Sequence, residues 1–436
     1  MFTHVRSGMD MVAGGGIPRS DPYSFTAVGQ PWTVQSWLPE YTYGWAERLG
    51  GMRLVVLEQA LLSALLAWLV VRLVRTGSPP RTALAALVAL GIGSAFWSPR
   101  PLLFGLVAMA LTVTVVEKRR SHWLLIPVVW LWVNSHGSFP LGLVYLAVRA
   151  VGEWRDWRAR PADAMRYVIG FVVGLAVAAV NPLGPRLLAF PFSLGKRREV
   201  FMRVVEWQSP DFQAPAGRAA LVALVIGLAL LVRWRAGWRD VLPVAVFVAL
   251  GLLAVRNLPV AAIVLAPVVA RSIRHPDTRP RAGTESPNQR RANLLVAGAL
   301  AITAVVFAVA VLARSPLDLR RYPVEAVDFL DGAGLLGRAH RLASVDYAGN
   351  YLELRYGQKV KVFIDDRVDM YPVAVSNAYA DLLGGRRNAL EVLSEYEIDV
   401  VLWKETLPLT AILVASGKWQ QSYLDTDGWV VLQRVG

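Results

Sequence analysis

Residues 17–40 read IPRSDPYSFTAVGQPWTVQSWLPE, a polar and turn-rich stretch that comes before a long series of apolar segments. Pro18 and Pro22 flank Asp21. Proline restricts its own backbone and that of the preceding residue, so this part of the chain is expected to be turn-like rather than helical. The sequence therefore predicts that the Asp21 carboxylate is presented to its surroundings, either for chemistry or as the cap of a turn.

Aromatic residues are frequent at the end of this stretch and just after it. They are Trp32, Trp37, Tyr41, Tyr43 and Trp45. Rings that combine an apolar body with a polar edge collect at membrane–water boundaries. We therefore interpret residues 1–53 as an outer-face loop and interfacial segment that leads into a membrane domain.

The composition excludes a soluble globular enzyme. The chain has 436 residues, of which 55% are hydrophobic and only 18% charged, and its mean hydropathy is +0.41. These values are typical of a protein with many membrane helices. Cysteine is absent, which excludes a disulfide framework, a thiolate metal site and a cysteine nucleophile.

Apolar runs recur along the middle of the chain, and several approach the roughly 20 residues that a helix needs to cross a bilayer. They lie at 54–74, 83–97, 101–117, 122–134, 137–152, 167–181, 218–234, 239–255, 257–273 and 294–312. These runs predict a transmembrane domain of about ten spans at 54–313, with a long outer loop at 182–217. The breaks at 98–101 and 134–137 are interpreted as turns between spans.

The formal net charge of +14 is concentrated in alternate loops of the predicted membrane domain. Cytoplasmic loops carry an excess of Lys and Arg. The N-terminal segment and everything after 313 are therefore predicted to face outward, with the C-terminal domain extracytoplasmic. Because that domain has no basic excess, nucleic acid is not expected as a partner.

After Pro316 the composition changes to that of a soluble domain. The apolar runs Val360–Ile364 and Val400–Trp403 are interpreted as strands. They alternate with helical patterns near 348–356, 376–383 and 387–396. This alternation predicts a small α/β domain at 314–436.

The polar residues of the membrane part collect on the predicted outer face. They are Asp21, Glu40, Arg100, Asn134, His136, Asn181, Arg186, Lys196, Arg197, Arg198, Glu206, Asp211, Arg256 and Asn257. Each one alone is explained as a solvated group at a helix end. Together they are typical of phosphoryl-lipid chemistry, because guanidinium groups grip phosphate bidentately and a positioned Asp accepts a proton. Phospholipid headgroups attract the same arginines.

Several stretches of this sequence resemble those of bacterial multi-spanning membrane proteins related to the GT-C glycosyltransferases, which use polyprenyl-phosphate-linked sugars on the outer face. Besides residues 17–40, the matching stretches are HVRSG (4–8), SPRPLLFG (98–105), WVNSHGSFPLG (132–142), NPLGPRLLAFP (181–191), EWQSPDF (206–212), RNLPVAAIVLAP (256–267) and VFIDDRVDMY (362–371). The resemblance implies a polytopic α-helical membrane protein in the cell envelope. It implies transfer of the sugar to a glycan, lipid or protein acceptor.

Such relatives usually begin with a further membrane helix and an acidic residue in the first loop, which is their usual candidate base. That helix and that acid are missing before Phe2 in this sequence. Either the chain starts downstream of the true start, or Asp21 must serve alone.

The resemblance, added to the residue types, gives each candidate a role. Asp21 would act as base, and Arg100, His136, Arg186 and Arg256 would hold the donor phosphate. Candidate acceptor-binding or supporting residues are His4, Arg6, Trp32, Gln35, Glu40, Asn134, Glu206, Asp211, Asn257, Asp365 and Arg367. No cofactor is required by this scheme. A divalent cation at Asp365, Asp366 and Asp369 is an option, and a solvated loop with local hydrogen bonds is the alternative.

A second interpretation is a lipid or solute translocator, or a non-catalytic membrane scaffold with an outer binding domain. Translocators are expected to carry charged residues near the bilayer midplane. Here Glu58 is the clear acidic residue within a predicted span, and it lies close to the outer end. Its position favours a function at the membrane surface.

Overall fold

The computed structural model describes residues 1–76, 79–98, 100–157, 162–273, 315–337 and 339–435, with a few isolated positions between 287 and 313. The chain is mostly helical, with one small sheet near its C-terminus. It divides into two compact units. The helical unit comprises residues 50–191 and 203–316, and the sheet unit comprises residues 1–49, 192–202 and 317–436.

The described helices are numbered along the chain. They are α1 Phe2–Asp10, α2 Trp37–Gly50, α3 Met52–Leu73, α4 Pro79–Gly93, α5 Leu102–Glu117, α6 Leu125–Ser135, α7 Pro140–Trp157, α8 Ala162–Ala178, α9 Arg186–Leu194, α10 Arg198–Phe201, α11 Pro215–Trp234, α12 Trp238–Leu253, α13 Leu258–Ser272, α14 Val324–Gly332, α15 Asp346–Tyr356, α16 Val373–Leu383, α17 Ala389–Glu395 and α18 Pro408–Ala415.

Every predicted span from 54–74 to 257–273 overlaps one of the helices α3 to α13. Within the described ranges, three helices are long and apolar enough to cross a membrane, namely Met52–Leu73, Gly217–Trp234 and Val255–Ser272. The breaks at 98–101 and 134–137 do separate helices, as predicted. The predicted span at 294–312 lies outside the described residues, apart from isolated positions.

The sheet unit contains a four-stranded sheet in the order β1-β2-β4-β3. Its strands are β1 Leu342–Ser344, β2 Val400–Lys404, β3 Trp419–Leu424 and β4 Trp429–Arg434. β1 and β2 pair in parallel, and the other pairs are antiparallel. Residues 400–403 of β2 are all buried, which is the pattern of a strand covered on both faces. The predicted strand Val400–Trp403 and the three predicted helices of this region are confirmed.

The N-terminal segment packs into the core of the sheet unit. Phe2, Tyr23 and Trp32 are buried in the same apolar cluster as Val362 and Tyr371. A parallel bridge joins Ser24 to Val362. Residues 1–53 were expected to form a loop and interfacial segment, but they contain helices α1 and α2 and belong largely to the sheet unit. The boundaries of the two units thus differ from the predicted domains at 1–53, 54–313 and 314–436.

The predicted strand Val360–Ile364 is wrong. Only Val362 makes β-bridges, and these are isolated ones to Ser24 and Leu342. The stretch is apolar because it is buried against the N-terminal segment and not because it forms a ladder. An apolar run of this length cannot by itself distinguish these two cases.

Candidate functional site

Two short 3₁₀ turns, Val205–Trp207 and Val255–Asn257, contact each other in the helical unit. The Val255 N–H donates to the carbonyl of Gln208 across 2.9 Å, which fixes one turn against the other. Both turns lie beside helix ends, since α12 ends at Leu253 and α13 begins at Leu258. Side chains from separate stretches of sequence therefore meet at one place.

Arg256 lies over the indole ring of Trp207, with its Cζ 4.3 Å from the ring centroid. Glu206 makes an ion pair with Arg100, which comes just before α5. Glu206 and Arg100 are also the charged groups that interact electrostatically with Arg256. We call Arg100, Glu206, Trp207 and Arg256 the arginine–glutamate site. The side chains of Arg100 and Glu206 are 46% and 44% exposed, so the site is open to a ligand.

His136 lies at the end of α6 and belongs to a second polar group in the helical unit. Its Nδ1 is 2.8 Å from the Ser138 hydroxyl, which also accepts a hydrogen bond from the Trp132 indole N–H. A Cβ built on Gly105 would lie 2.8 Å from that hydroxyl oxygen, so the two segments SPRPLLFG and WVNSHGSFPLG pack closely. The group lies near the N-terminal end of α5, the end that follows Arg100.

The other predicted residues of the helical unit have local partners or are exposed. The Asn134 amide donates to the Trp130 carbonyl, and the Asn257 amide donates to the Leu250 carbonyl. Asp211 accepts from the backbone N–H of Gln213 and is exposed. Arg186 is exposed at the first residue of α9. Of the four predicted phosphate-binding residues, the structure thus brings Arg100 and Arg256 together at the arginine–glutamate site.

The predicted residues Asp21, Asp365 and Arg367 meet in the interior of the sheet unit. Arg367 Nη2 lies 2.8 Å from Asp21 Oδ1 and 2.5 Å from Asp365 Oδ2. It also lies 3.6 Å from Glu353 Oε1. The guanidinium stacks over Trp32, with its Cζ 4.5 Å from the ring centroid. We call Asp21, Glu353, Asp365 and Arg367 the buried charge cluster.

The expectation that Asp21 is presented to its surroundings is wrong. Its side chain is 0% exposed. Its carboxylate accepts hydrogen bonds from the backbone N–H groups of Tyr23 and Ser24 and from the Ser24 hydroxyl. The turn between the two prolines therefore points the carboxylate inward, where Arg367 compensates its charge. These are the contacts of a turn cap, the alternative that the sequence left open.

The charges of this cluster shift the pKa values of its members in opposite directions. Burial by itself raises the pKa of Asp365, but the Arg367 guanidinium outweighs burial and holds that pKa below its ordinary value. Burial and the nearby charge of Asp365 raise the pKa of Glu353 well above its ordinary value, and Arg367 offsets only part of this. Folding therefore favours the protonated form of Glu353.

We expect Glu353→Gln to remove a pH dependence from the stability of the sheet unit. A carboxyl whose pKa is raised by folding favours the folded state below its unfolded pKa, near 4.5, and loses this contribution as pH rises through the folded value. In that window the stability of the wild type should fall relative to the variant by about 1.4 kcal/mol per pH unit. Chemical unfolding at a series of pH values measures the difference.

Glu391→Gln removes an exposed carboxyl in the first turn of α17 and is the matched control. Its unfolding free energy should follow that of the wild type across the pH range. Identical pH profiles for the wild type and Glu353→Gln would contradict a raised pKa of Glu353 in the folded chain.

The remaining predicted residues of the sheet unit lie on α1 and α2 or just before them. His4 Nδ1 is 2.8 Å from Glu40 Oε1, which also accepts a hydrogen bond from Ser36. Arg6 pairs with Asp10 at 2.5 Å, and Gln35 is buried. Glu40 is only 2% exposed, so this pair of helices is joined by a polar contact in the interior.

The predicted cation site at Asp365, Asp366 and Asp369 does not assemble from three carboxylates. The Asp365 carboxylate accepts hydrogen bonds from Arg367 and from the Tyr371 hydroxyl, while Asp366 is exposed. Over the part of the chain that the structure describes, no group of three or more His, Cys, Asp and Glu residues is placed to hold a metal ion.

Two members of these sites were not singled out from the sequence. Trp207 adjoins Glu206 in the stretch EWQSPDF, and its aromatic ring next to a predicted functional acid was the available signal. Glu353 lies inside α15, and nothing in its local sequence marks it as buried. Its place in the cluster depends on the distant residues Asp365 and Arg367.

No family model matches this chain, and no curated protein matches it. Among solved structures, the chain is similar to arabinofuranosyltransferase AftD from Mycobacteria, at 12% sequence identity and a TM-score of 0.43. The similarity covers 98% of this chain and 39% of that chain, so this chain spans well under half the length of the structure it matches.

Proposed function

We propose that this chain is a membrane glycosyltransferase that moves a sugar from a polyprenyl-phosphate donor to an acceptor hydroxyl at the membrane surface. The observation that carries the proposal is the arginine–glutamate site, where Arg256 stacks over Trp207 near the ion pair of Arg100 with Glu206. The resemblance of the sequence to GT-C-related proteins supports the same chemistry. The apolar helices of the helical unit suit a polyprenyl chain.

The two arginines would bind the donor phosphate. A guanidinium matches phosphate oxygens with two parallel hydrogen bonds, and it stays charged throughout the reaction. Arg100 is nearly half exposed, so an entering anion can reach its guanidinium group. Arg256 is held over the ring of Trp207, which fixes the position of its guanidinium group. As the bond between the sugar and the phosphate breaks, negative charge grows on the leaving phosphate, and the arginines would stabilise it.

Glu206 is the exposed carboxylate of the site and would act as the base. When the phosphate occupies Arg100, the Glu206 carboxylate is released from its ion pair and can accept a proton. The acceptor oxygen would bond to the anomeric carbon of the sugar as the bond from that carbon to the phosphate oxygen breaks. The hydroxyl proton would pass to Glu206 and then to water, and polyprenyl phosphate would leave.

The proposal includes a multi-spanning topology in which the sheet unit lies outside the cytoplasm. The sheet unit would bind the glycan, lipid or protein acceptor. His136 and Arg186 stay predicted contacts of the donor, and a requirement for a divalent cation stays an option. Because Asp21 is bound to Arg367 in the interior, the base is assigned to Glu206.

We expect Arg100→Ala and Arg256→Ala each to weaken use of the donor by about 1.5–3 kcal/mol, the range for a hydrogen bond to a charged group. Lysine at either position should restore only part of the donor use, because its ammonium group is a point charge and lacks the planar fork of a guanidinium group. Release of polyprenyl phosphate from a mixture of polyprenyl-phosphate sugars measures the effect with the purified full chain.

Arg218→Ala is a suitable control, because Arg218 is an exposed arginine in the first turn of α11. It should leave donor use unchanged. If the wild type binds the polyprenyl-phosphate sugar but never cleaves it with any acceptor mixture, a translocator or a non-catalytic scaffold would explain the chain better. Full activity in both site variants would remove the arginines from the donor site.

A further inference from the structure

The aromatic residues of helix α2 lie on two different faces. Tyr43 is buried, and Gly44 beside it is buried as well. Tyr41 and Trp45 are exposed, and so is Leu49, one turn further along. Residues four apart lie above one another on a helix, so these three exposed side chains form one continuous row. We call Tyr41, Trp45 and Leu49 the aromatic stripe of α2.

The buried face of α2 is fixed against α1. A Cβ built on Gly44 would lie 2.2 Å from the carbonyl oxygen of Gly8, so the two backbones are in direct contact there. One turn earlier, the buried Glu40 carboxylate lies 2.8 Å from His4 of α1. Rotation of α2 about its axis would break both contacts. The aromatic stripe is therefore held in an orientation that points away from α1.

The exposed face of α2 has the wrong composition for contact with water. A surface helix of a soluble domain normally presents polar side chains to the solvent. Here two aromatic rings lie edge to face with their centroids 6.3 Å apart, and they are followed by a leucine that is 73% exposed. Single apolar residues on a surface need no explanation, but a contiguous stripe marks an interaction surface.

The residue types of the stripe favour the surface of a lipid bilayer as its occupant. Trp and Tyr are enriched at the boundary between membrane and water. The exposed Arg48 guanidinium lies 5.4 Å from the centroid of the Trp45 ring. It also donates to the Val12 carbonyl at 3.5 Å, so its side chain is held beside the stripe. A long cationic side chain in this place can reach lipid phosphates while the neighbouring apolar face is immersed.

A protein partner suits the stripe less well. An aromatic side chain offers about 150–250 Å² of surface, so three side chains fall short of the roughly 800 Å² that a stable protein interface buries on each partner. A lipid surface has no such requirement, because each immersed apolar group contributes separately.

The sequence places an apolar helix directly after α2. α2 ends at Gly50, and α3 begins at Met52. α3 has 22 residues and is long and apolar enough to cross a membrane. Because the chain advances by at most about 3.6 Å per residue, a helix that leads into a membrane span within two residues ends near the bilayer surface. The aromatic stripe ends at Leu49, three residues before α3.

We propose that α2 is an interfacial helix, which inserts the aromatic stripe into the boundary between the headgroups and the acyl chains of the phospholipid bilayer. Because the buried face of α2 is joined to α1, this helix pair attaches the sheet unit to the membrane surface. The interfacial role expected for residues 1–53 is thereby confined to one face of one helix. It excludes Trp32 and Tyr43, which are buried in the protein. The assignment does not depend on sugar transfer.

Spin labelling can test this assignment, because the chain contains no cysteine and a single introduced cysteine carries the label without background. The full chain is reconstituted in vesicles of phosphatidylcholine and phosphatidylglycerol as Tyr41→Cys, Trp45→Cys or Leu49→Cys. Glu391→Cys, exposed in the first turn of α17, is the reference for water. Leu61→Cys, exposed within α3, is the reference for lipid. Collisions with oxygen, which dissolves in lipid, and with a water-soluble nickel chelate are measured by electron paramagnetic resonance.

We expect all three stripe labels to lie about 5–10 Å into the boundary between headgroups and acyl chains. Oxygen collisions should exceed nickel collisions there, as at Leu61, and the label at Glu391 should show the reverse. Free access of the nickel chelate to all three stripe labels would overturn the proposal. Protection from both reagents would also overturn it, because protein and not lipid would then cover the stripe. Nickel access at Leu61 would overturn it as well, since α3 would then not cross the membrane.

Discussion

Replacing Arg367 with methionine is expected to destabilise the sheet unit by about 3–5 kcal/mol, the usual cost of removing one partner from a buried ion pair. Methionine keeps much of the length of the side chain but not its charge. The carboxylates of Asp21 and Asp365 are 0% exposed and would be left without their cation. Burying charge without a partner is far more costly than losing a contact between exposed groups.

Pulse proteolysis of the purified full chain in increasing urea can measure this effect. A label at the C-terminus reports on the sheet unit, since residues 317–436 belong to it. Arg386→Met is the control, because Arg386 pairs with Asp381 at 2.8 Å while its own side chain is 64% exposed. An exposed pair of this kind contributes about 0–1 kcal/mol. Equal shifts of the unfolding midpoint in both variants would contradict the importance of the buried charge cluster.

A double variant sharpens the interpretation. Asp21→Asn combined with Arg367→Met removes one of the charges that Arg367 leaves uncompensated. Its loss of stability should therefore be smaller than the sum of the two single losses. An additive result would mean that Asp21 and Arg367 do not act as a pair in the folded chain.

The helices of the helical unit could be predicted from the sequence because they are set by local composition. The apolar runs at 54–74 and 101–117 correspond to α3 and α5 within a few residues. When polar or proline-containing turns bound a run of apolar residues, these turns mark where the helix begins and ends. The strand β2 was found in the same way, from a short apolar run.

The place of residues 17–40 could not be predicted, because it depends on contacts with residues more than 300 positions away. The Thr26 hydroxyl donates to the Phe363 carbonyl, and Val362 exchanges backbone hydrogen bonds with Tyr23 and Phe25. A polar stretch rich in aromatic rings suits both a membrane boundary and the core of a small domain. Residue types alone did not distinguish the two, so the sequence did not predict that this segment joins the core of the sheet unit.

The sequence predicted the chemistry of the candidate site but not which residues form it. Arg100 and Arg256 were chosen because guanidinium groups suit phosphate, and the structure places both beside Glu206. Asp21 was chosen by the same reasoning about residue type. Its turn directs the carboxylate into the interior, and a sequence cannot show which way a turn faces.

The comparison of Glu206→Gln with Asp21→Asn is expected to give the largest effect on activity. Glutamine keeps the size of Glu206 but cannot accept the proton of the attacking hydroxyl. Turnover should fall by about a hundredfold to ten-thousandfold, the usual contribution of a positioned acid or base. Arg100 would lose its partner, but both groups are nearly half exposed, so folding should survive.

Asp21→Asn should behave in the opposite way. Asparagine can still accept one of these backbone hydrogen bonds through its Oδ1, from the N–H of Tyr23 or of Ser24, so the turn is expected to form. The ion pair with Arg367 is lost, and the unfolding midpoint should fall while turnover per folded molecule stays within a few fold of the wild type. Turnover is measured as release of polyprenyl phosphate, and the folded fraction by pulse proteolysis. If folded Asp21→Asn loses a hundredfold or more in turnover and Glu206→Gln does not, Asp21 is the base and the arginine–glutamate site only binds.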